Sequence, residues 1–437
     1  MSRDTIFALS TAPGRAGVAV VRVSGPDAAR ALEALTDKPP PPPRNAAMTG
    51  FFGGAGTLID RGLAIYFQGP ASFTGEDIAE FHVHGGRAIV GAIMEALAAL
   101  GLRPAEPGEF TRRAVENGKI DLTQAEAIAD LVDAETDAQR RQALRQYDGA
   151  LAELYEGWRA DLIKAGAWAE AAIDFSDEEL PADTFARTRA AIAGILQDIR
   201  GHLDDSRRGE VLREGLHLTV IGPPNAGKSS LVNALARRDV AIVAEIAGTT
   251  RDVIDVRMDL GGYPVILADT AGLRDTAEII EAEGVRRARA RAETADLVLL
   301  LLDGSAADPF TGLPDGTRGD LIVFNKSDLP WPAKRDGISI SLKTGAGMDT
   351  MIDALTAKVR DRLERPTEAP VLTRARHRHA LEDATRSLEH ALTTPDDQPE
   401  LLAEDLRLAL RSIGRIIGRV DIEDVLDVVF KDFCIGK

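Results

Sequence analysis

Short apolar runs recur through the middle of the chain, each followed by a polar or glycine-containing segment. The runs Leu216–Ile221, Tyr263–Ala268 and Leu321–Phe324 have the length of strands, and the first is rich in β-branched residues. Such runs are typical of buried strands. Because the first run leads into a helical segment at Ser230–Leu235, the pattern predicts an α/β domain with a mostly parallel sheet.

The regions outside this domain have a different pattern. Residues 1 to about 115 are mixed and strand-rich, with strands predicted at Val18–Val23 and Leu63–Phe67 and an amphipathic helix at Arg87–Leu100. From about residue 116 the chain is helical and alanine-rich, and Thr123–Glu126 has the pattern of a capping box. The helical pattern resumes after the α/β domain. We therefore predict an N-terminal mixed α/β domain and one all-helical domain that the inserted α/β domain splits, with segments 1–115, 116–212, 213–365 and 366–437.

The segment Gly222–Ser229 joins the first predicted strand to its helix and fits the pattern G-x-x-x-x-G-K-[ST]. A loop with glycine at both ends can wrap its backbone N–H groups around a polyanion at the positive end of the following helix. Lys228 would neutralise β- and γ-phosphate oxygens, and the Ser229 hydroxyl would hold a magnesium ion. The loop residues assigned to the nucleotide are Asn225, Ala226, Gly227, Lys228, Ser229 and Ser230.

Three further segments identify the nucleotide as GTP. Asp269–Gly272 offers a carboxylate that can reach the metal through water and a glycine amide that can sense the γ-phosphate. The carboxylate of Asn325–Asp328 can accept two hydrogen bonds from guanine, and Ser341–Lys343 suits a backbone contact to the guanine O6. Four such segments in this order predict a Ras-like P-loop GTPase domain. The residues assigned here are Asp269, Thr270, Ala271, Gly272, Asn325, Lys326, Asp328, Ser341, Leu342 and Lys343.

The residue after Asp269–Gly272 is Leu273, which cannot orient the attacking water as glutamine does in many GTPases. A monovalent cation, held by the Asn225 side chain and by backbone carbonyls before Gly248, would do the work of an arginine finger. Arg274 and Glu281 are candidates for transition-state and water-positioning roles. The candidate metal ligands are Ser229, Thr250, Asn225, Ala244, Ile246 and Thr249, and the switch segment assigned to the ligands comprises Ala244, Glu245, Ile246, Ala247, Gly248, Thr249 and Thr250.

Composition limits the classes of protein that this chain can represent. Its 437 residues are enough for two to four domains, and no apolar run approaches membrane-spanning length. The one cysteine, Cys434, excludes an internal disulfide and is typical of a reducing cytoplasm. A net charge of −17 means that any nucleic acid must bind a local basic patch and not the overall field of the protein.

Two polar patterns each allow two interpretations. Glu80, His82 and His84 alternate along a predicted strand, which favours a polar strand face over a metal site. On the last long helix, basic residues recur at every fourth position, which favours a solvated or ion-paired face over an RNA-binding one. That basic stripe consists of Arg407, Arg411, Arg415 and Arg419.

Several segments outside the GTPase motifs carry a resemblance to a known family. They are Pro13–Val18, Phe73–Asp77, Pro107–Phe110, Asp121–Ile128 and the terminal Cys434–Lys437. On these residues the chain resembles, from end to end, the MnmE (TrmE) family of tRNA-modification GTPases. It differs from the family's usual pattern at Ser327, where alanine is usual, and in the short segment 303–319, which is too short for the usual helix.

The resemblance implies cofactors, partners and roles for particular residues. It implies an N-terminal domain that dimerises and binds a 5,10-methylene- or 5-formyl-tetrahydrofolate through Arg22, Glu80, Lys119 and Lys437. It implies a GTPase domain that uses GTP, Mg²⁺ and K⁺ and pairs across a homodimer, with Glu281 as the catalytic glutamate. It also implies an FAD-containing MnmG-type partner, in a heterotetramer or larger complex. Together the two proteins would place an aminomethyl or carboxymethylaminomethyl group on the wobble uridine of certain tRNAs.

The role of the terminal cysteine and the function class each leave alternatives. The Cys434 thiol is either catalytic or buried beside the folate. A ribosome-assembly GTPase would share the nucleotide motifs but normally carries an RNA-binding module, and a structural switch would leave Cys434–Lys437 unexplained. The sequence therefore favours the tRNA-modifying enzyme.

Overall fold

The computed structural model describes residues 4–174, 184–205, 207–238, 240–242, 256–267, 295–313, 316–317, 319–364 and 370–420, together with residues 426, 429, 430, 433 and 436. The chain divides into two compact units. One unit comprises residues 1–129, 146–196 and 380–437, and the other comprises residues 130–145 and 197–379. The four domain segments inferred from the sequence stay a prediction.

The described residues form strands and helices in both units. The strands are β1 Ile6–Leu9, β2 Ala19–Ser24, β3 Ala46–Phe52, β4 Leu58–Phe67, β5 Ile78–Val83, β6 Arg103–Pro104, β7 Leu216–Ile221, β8 Val256–Leu260, β9 Tyr263–Leu267, β10 Leu297–Asp303, β11 Leu321–Asn325 and β12 Ile338–Ser339. The helices are α1 Ala28–Thr36, α2 Arg87–Ala99, α3 Glu109–Glu116, α4 Leu122–Asp133, α5 Asp137–Tyr147, α6 Ala150–Asp174, α7 Thr184–Leu203, α8 Arg208–Glu214, α9 Lys228–Ala236, α10 Met348–Leu363, α11 Ala375–Thr393 and α12 Pro399–Ile417. In this part of the chain no helix is long and apolar enough to cross a membrane.

The N-terminal sheet has the strand order β3-β4-β5-β2-β1-β6. Neighbouring strands are antiparallel except for β1 and β6, which are parallel. Alternate side chains of β2 and β5, such as Val21 and Phe81, join α1 and α2 in one buried core. The strands and the helix predicted for this region are therefore confirmed. The alternate residues of β2 and β5 point to the opposite face of the sheet.

Buried Arg113 ties together several segments of the N-terminal domain. Its side chain is 4% exposed, and its guanidinium lies 2.8 Å from Asp4, 3.2 Å from Glu76 and 3.0 Å from Glu109. Burial alone would lower the pKa of Arg113, but the neighbouring carboxylates outweigh it and raise the pKa. Glu76 and Glu109 belong to two segments that carry the family resemblance, so one ion cluster positions both.

The first helix after this domain begins two residues earlier than the sequence pattern predicts. Asp121 caps α4, because its Oδ1 accepts hydrogen bonds from the backbone N–H of Thr123 at 2.7 Å and of Gln124 at 3.1 Å. Gln124 Oε1 accepts the backbone N–H of Asp121 at 3.1 Å. The capping box predicted at Thr123–Glu126 is therefore wrong, because aspartate two residues earlier is an equally good cap.

The basic stripe on α12 is ion-paired at both ends. Arg407 contacts Glu170 on α6 as well as Glu404, and Arg419 lies 2.9 Å from Glu156. The two helices therefore run antiparallel and exchange charges along their contact. The ion-paired interpretation is confirmed for these two arginines.

The second unit contains a sheet with the order β12-β11-β10-β7-β9-β8, in which only the edge pair β8 and β9 is antiparallel. The mostly parallel sheet is thus confirmed, and β7 has the predicted bounds. Register places Asp303 at the end of β10 directly opposite Asn325 at the end of β11. Because the carboxyl ends of parallel strands meet at one edge, the sequence motifs that follow them gather there.

Arg378 forms ion pairs with two acidic residues that are distant from it in the sequence. Arg378 at the start of α11 lies 2.7 Å from Asp205 and 2.9 Å from Glu210. Burial alone would raise the pKa of Glu210, but hydrogen bonds from Arg207 and Arg378 outweigh it and hold the pKa below its ordinary value. These contacts hold Asp205 and Glu210 against Arg378 within the second unit.

The Arg113 cluster gives a testable stability difference between two adjacent arginines. Arg113→Met would leave the mostly buried Glu76 without a counter-charge, whereas Asp4 and Glu109 would keep only Arg103. Breaking a buried ion pair typically costs about 3–5 kcal/mol. Arg112→Met would remove a largely exposed pair with Glu116, and an exposed pair is typically worth about 0–1 kcal/mol. We expect hydrogen exchange of the β2 and β5 amides, measured in the full-length protein, to accelerate strongly in the first variant alone. Equal protection in both variants would show that Arg113 does not hold this domain together.

Candidate functional site

The phosphate loop lies between β7 and α9, and contacts explain both of its glycines. A Cβ added to Gly222 would lie 2.0 Å from the carbonyl oxygen of Leu301 on the neighbouring strand. Gly227 has a φ of +103°, and a Cβ there would lie 2.5 Å from the side-chain nitrogen of Asn325. The loop can therefore take this path only with glycine at both positions.

Lys228 is the first residue of α9 and curls back over the loop. Its ammonium donates to the carbonyl oxygens of Gly222 and Pro223, both at 2.9 Å. Burial lowers the pKa of Lys228. Ser229 and Ser230 follow in the first turn of the helix, whereas Asn225 is exposed in a left-handed turn with a φ of 61°. The loop thus offers an ammonium, a helix N-terminus and hydroxyl groups to a polyphosphate.

Asn325 connects the phosphate loop to the two segments predicted to read the base. Its side chain is buried, and its Nδ2 donates to the carbonyl oxygen of Ala226 at 2.9 Å. Its Oδ1 accepts the backbone N–H groups of Lys326 at 2.7 Å and of Leu342 at 3.1 Å. One amide therefore holds three loops at the carboxyl edge of the sheet.

The predicted base-reading carboxylate, Asp328, is held by the loop after β12. The Ser341 hydroxyl donates to Asp328 at 2.7 Å, and the Lys343 ammonium lies 4.0 Å from it. The hydrogen bond from Ser341 holds the pKa of Asp328 below its ordinary value. The carboxylate is consequently ionised at neutral pH, as an acceptor for two N–H groups of guanine must be.

Lys326 has a partner that the sequence motifs did not indicate. Its ammonium lies 2.6 Å from Asp303, the residue opposite Asn325 in the register of β10 and β11. Burial alone would raise the pKa of Asp303, but the hydrogen bond from Lys326 outweighs it and lowers the pKa. The sequence alone does not indicate this pair, because it depends on the register between β10 and β11.

A second cluster lies on the sheet face opposite the core of the N-terminal domain. The Arg22 guanidinium contacts Glu80 at 2.9 Å, and His82 Nε2 lies 3.2 Å from the other oxygen of Glu80. The guanidinium also lies over the rings of Phe73 and Phe110, 5.9 and 5.8 Å from their centroids. Arg22 and Glu80 are thus brought together, and the sequence analysis missed the two aromatic rings that belong to segments of the family resemblance.

The three residues considered for a metal site do not converge. Glu80 and His82 share a face of β5, but His84 lies beyond the strand and contacts Asp60 at 3.0 Å. Within the described ranges no group of three or more His, Cys, Asp or Glu residues could hold a metal ion. The polar strand face is therefore confirmed for Glu80 and His82.

Lys119 and the end of the chain approach the same domain. The Lys119 ammonium donates to the carbonyl oxygen of Pro70 at 2.9 Å, in the β4–β5 loop that also carries Phe73. Gly436 packs against β1, because a Cβ there would lie 2.2 Å from the carbonyl oxygen of Leu9. Leu9 pairs with Val21, the neighbour of Arg22 on β2. Gly436 therefore lies beside the first strand of the N-terminal sheet, and the role predicted for the terminal motif stays a prediction.

The remaining predicted site residues lie outside the described residues. They comprise the switch segment, the segment after β9, the two proposed hydrolytic residues and two residues of the terminal motif. These are Ala244, Glu245, Ile246, Ala247, Gly248, Thr249, Thr250, Asp269, Thr270, Ala271, Gly272, Arg274, Glu281, Cys434 and Lys437. Their roles stay predictions.

Comparison with known proteins matches both ends of the chain to one family. The family described as GTP-binding protein TrmE N-terminus matches residues 5–119, and the MnmE helical domain matches residues 122–434. The protein named tRNA modification GTPase MnmE in Parvibaculum lavamentivorans is 56% identical over 439 residues, or 99% of this chain and 100% of the relative. The protein of that name in Rhodospirillum rubrum is 53% identical over 460 residues and covers 100% of both chains.

A solved structure, the G domain of the Thermotoga maritima FeoB iron transporter, also resembles part of the chain. It is 22% identical and covers 32% of this chain and 98% of that one, with a TM-score of 0.24. A TM-score this low carries no argument about the fold, so the class rests on the sequence relatives. That class is the P-loop GTPases. The chain belongs to the MnmE (TrmE) family of tRNA modification GTPases, and it is accordingly a GTP hydrolase that acts in tRNA modification.

The geometry around Asp328 predicts a change in base preference. In Asp328→Asn, the amide can no longer accept both guanine N–H groups, whereas it can donate to the extra oxygen of xanthine. Each charge-assisted hydrogen bond is worth about 1.5–3 kcal/mol, so GTP affinity should fall at least about tenfold and xanthosine triphosphate affinity should rise. Equilibrium binding of fluorescent nucleotides measures both.

The control for this change is Asp353→Asn, which alters an exposed aspartate on α10. It removes the same charge from the same unit and should leave both affinities unchanged. Unaltered GTP affinity in Asp328→Asn would show that Asn325–Asp328 does not read the base.

Proposed function

We propose that this chain is the potassium-activated GTPase subunit of a complex that modifies the wobble uridine of certain tRNAs. The complex adds an aminomethyl or carboxymethylaminomethyl group to C5 of that base, with a one-carbon unit from tetrahydrofolate. The chain acts as a homodimer in the cytoplasm, with an FAD-containing MnmG-type partner in a heterotetramer or larger complex. Its nucleotide-binding domain is Ras-like and is inserted into a helical domain that it splits.

The observation that carries this proposal is the packing of Gly436 against β1, beside the strand that bears Arg22. In the proposal, Lys437 completes a folate site with Arg22, Glu80 and Lys119. Similarity over the full length of the relatives supports the same assignment.

The residues of the N-terminal cluster fit a reduced folate. Arg22 and Lys119 are cations for the glutamate tail, Glu80 is an acceptor for pterin N–H groups, and Phe73 and Phe110 offer ring faces. Ser10 adjoins Gly436, and its hydroxyl oxygen is buried without a hydrogen-bond partner among the residues described. When bound, the 5,10-methylene or 5-formyl cofactor supplies the one-carbon unit. The Cys434 thiol of the same terminal segment is proposed to act there.

The nucleotide site fits GTP with magnesium and potassium. Ser229 is proposed to bind Mg²⁺ together with Thr250, and Asn225 to bind K⁺ together with backbone carbonyls of the switch segment. Because Leu273 cannot orient water, Glu281 and Arg274 are proposed for water positioning and transition-state stabilisation. The exposed left-handed turn at Asn225 supports the cation site, since it leaves the side-chain amide unburied.

Potassium dependence gives the first test of this proposal. We expect GTP hydrolysis to be much faster in potassium than in sodium at matched ionic strength, because sodium is too small for a cage of carbonyl oxygens. Asn225→Gly keeps a residue that tolerates the left-handed turn but removes the amide oxygen. Its hydrolysis rate in potassium should fall to the sodium level. Equal rates of the unaltered protein in both salts would contradict the potassium assignment.

The terminal segment gives the second test. Deleting Gly436 and Lys437 should weaken binding of 5-formyl-tetrahydrofolate, measured by calorimetry, and should lower wobble-uridine modification in cells that depend on the truncated chain. Lys358→Gln, which removes an exposed lysine of α10, is the control and should change neither. Folate affinity equal to that of the intact chain would remove the tail from the site. Normal wobble modification in cells lacking the chain would favour a ribosome-assembly GTPase or a structural switch.

A further inference from the structure

Two connections around the base-reading loop have no helix in the residues described. These are the β10–β11 connection, described at 304–313, 316–317 and 319–320, and the β11–β12 connection at 326–337. The sheet face beside them carries a small apolar core formed by Ile221, Val298, Leu300, Leu302 and Phe324. The side chains of Leu313 and Trp331 pack on that core. Single side chains from these loops therefore cover part of this apolar core.

The indole of Trp331 packs directly against the backbone of Gly304, where no other residue would leave room for it. A Cβ added to Gly304 would lie 2.3 Å from indole carbons Cε2 and Cζ2 and 2.8 Å from Nε1. On its other side the indole meets Phe324, with ring centroids 6.0 Å apart. Gly304 also donates its backbone N–H to the carbonyl of Asn325 at 2.9 Å. The indole is thus fixed between the ends of β10 and β11.

The indole also makes a hydrogen bond to the base-reading loop itself. Its Nε1–H donates to the carbonyl oxygen of Lys326 at 3.1 Å, and the backbone N–H of Leu329 donates to the same oxygen at 3.0 Å. Lys326 has a φ of 67°, a conformation that costs a residue with a side chain of order 1–3 kcal/mol unless its surroundings impose it. Trp331 is one of the groups that impose it.

The peptide held in this way leads directly to the predicted base-reading carboxylate. The carbonyl of Lys326 belongs to the peptide unit that begins Ser327, and Ser327 donates its backbone N–H to Ile340 at 3.0 Å. Asp328 follows, tied by Ser341 at 2.7 Å. Rotation of the Lys326 peptide would therefore displace the Asp328 carboxylate from its place relative to Asn325.

We propose that Trp331 is a positioning residue for guanine nucleotide binding, which it supports by packing on Gly304 and holding the Lys326 carbonyl in the conformation that aims Asp328. This proposal rests on the assignment of guanine recognition to Asp328. Trp331 lies outside the four nucleotide motifs and packs behind the base-reading loop, against Gly304 and the Lys326 carbonyl. Its effect on GTP hydrolysis comes through nucleotide affinity and base selectivity, and not through the chemical step.

Two variants test the role of the indole from opposite sides. Trp331→Phe keeps an aromatic ring on the core but removes the N–H donor, and Gly304→Ala displaces the indole while leaving Trp331 in the sequence. A neutral hydrogen bond is worth about 1 kcal/mol, or about fivefold in a dissociation constant. We expect each variant to weaken GDP and GTP binding by about this factor or more, with kcat at saturating GTP unchanged.

The decisive readout is selectivity for the base. Inosine triphosphate lacks the exocyclic amine, so the ratio of its dissociation constant to that of GTP reports how well Asp328 is aimed. This ratio should fall in both variants, whereas a general loss of stability would leave it unchanged in the folded fraction. Trp168→Phe makes the same exchange at an exposed tryptophan of α6 and should leave affinity and ratio as in the unaltered protein.

Asp328→Asn separates a failure of this proposal from a failure of the assignment beneath it. If Asp328→Asn lowers the ratio and both Trp331→Phe and Gly304→Ala retain the original value, Trp331 has no positioning role. If Asp328→Asn also retains the original ratio, Asp328 does not read the base, and the positioning role of Trp331 is then wrong as well. A lowered ratio in all three variants, with kcat preserved in Trp331→Phe and Gly304→Ala, supports the proposal.

Discussion

The nucleotide site depends on the buried side-chain amide of Asn325. A carboxamide has a donor end and an acceptor end, and here both are used: the nitrogen holds Ala226, and the oxygen holds Lys326 and Leu342. A buried amide group without a hydrogen-bond partner is costly. If one of these loops moved away, the Asn325 side chain would lose a partner and this cost would arise. The phosphate loop and the base-reading loops are therefore parts of one unit, although almost 100 residues separate Ala226 from Asn325 in the sequence.

In the N-terminal domain, distant segments are joined by ion pairs and not by a single amide. Arg113 is satisfied by three carboxylates from distant segments, so Glu76 and Glu109 have a packing reason that needs no ligand. The Arg22–Glu80 pair lies on the sheet face opposite the main core, with side chains 24% and 13% exposed. Its two charges remain within reach of a ligand, with ring faces beside them. The two clusters thus differ in what surrounds the arginine: carboxylates of three segments contact Arg113, whereas one carboxylate and two aromatic rings contact Arg22.

The sequence predicted what depends on local pattern. The bounds of β7 and the glycines of the phosphate loop follow from apolar runs and from the geometry of a phosphate-binding turn. The cap of α4 was misplaced because Asp121 and Thr123 are both good caps, and only tertiary packing, which buries Thr123, chooses between them. Pairs such as Lys326 with Asp303 could not be read in advance, because they depend on the register between two strands.

Gly436 separates structural from chemical constraints within the terminal motif. It has a φ of +98°, and no side chain would fit between it and the backbone of Leu9 and Ser10. The glycine is therefore explained by packing alone. Packing thus accounts for Gly436 within the terminal motif, whereas the roles proposed for Cys434 and Lys437 depend on the family resemblance.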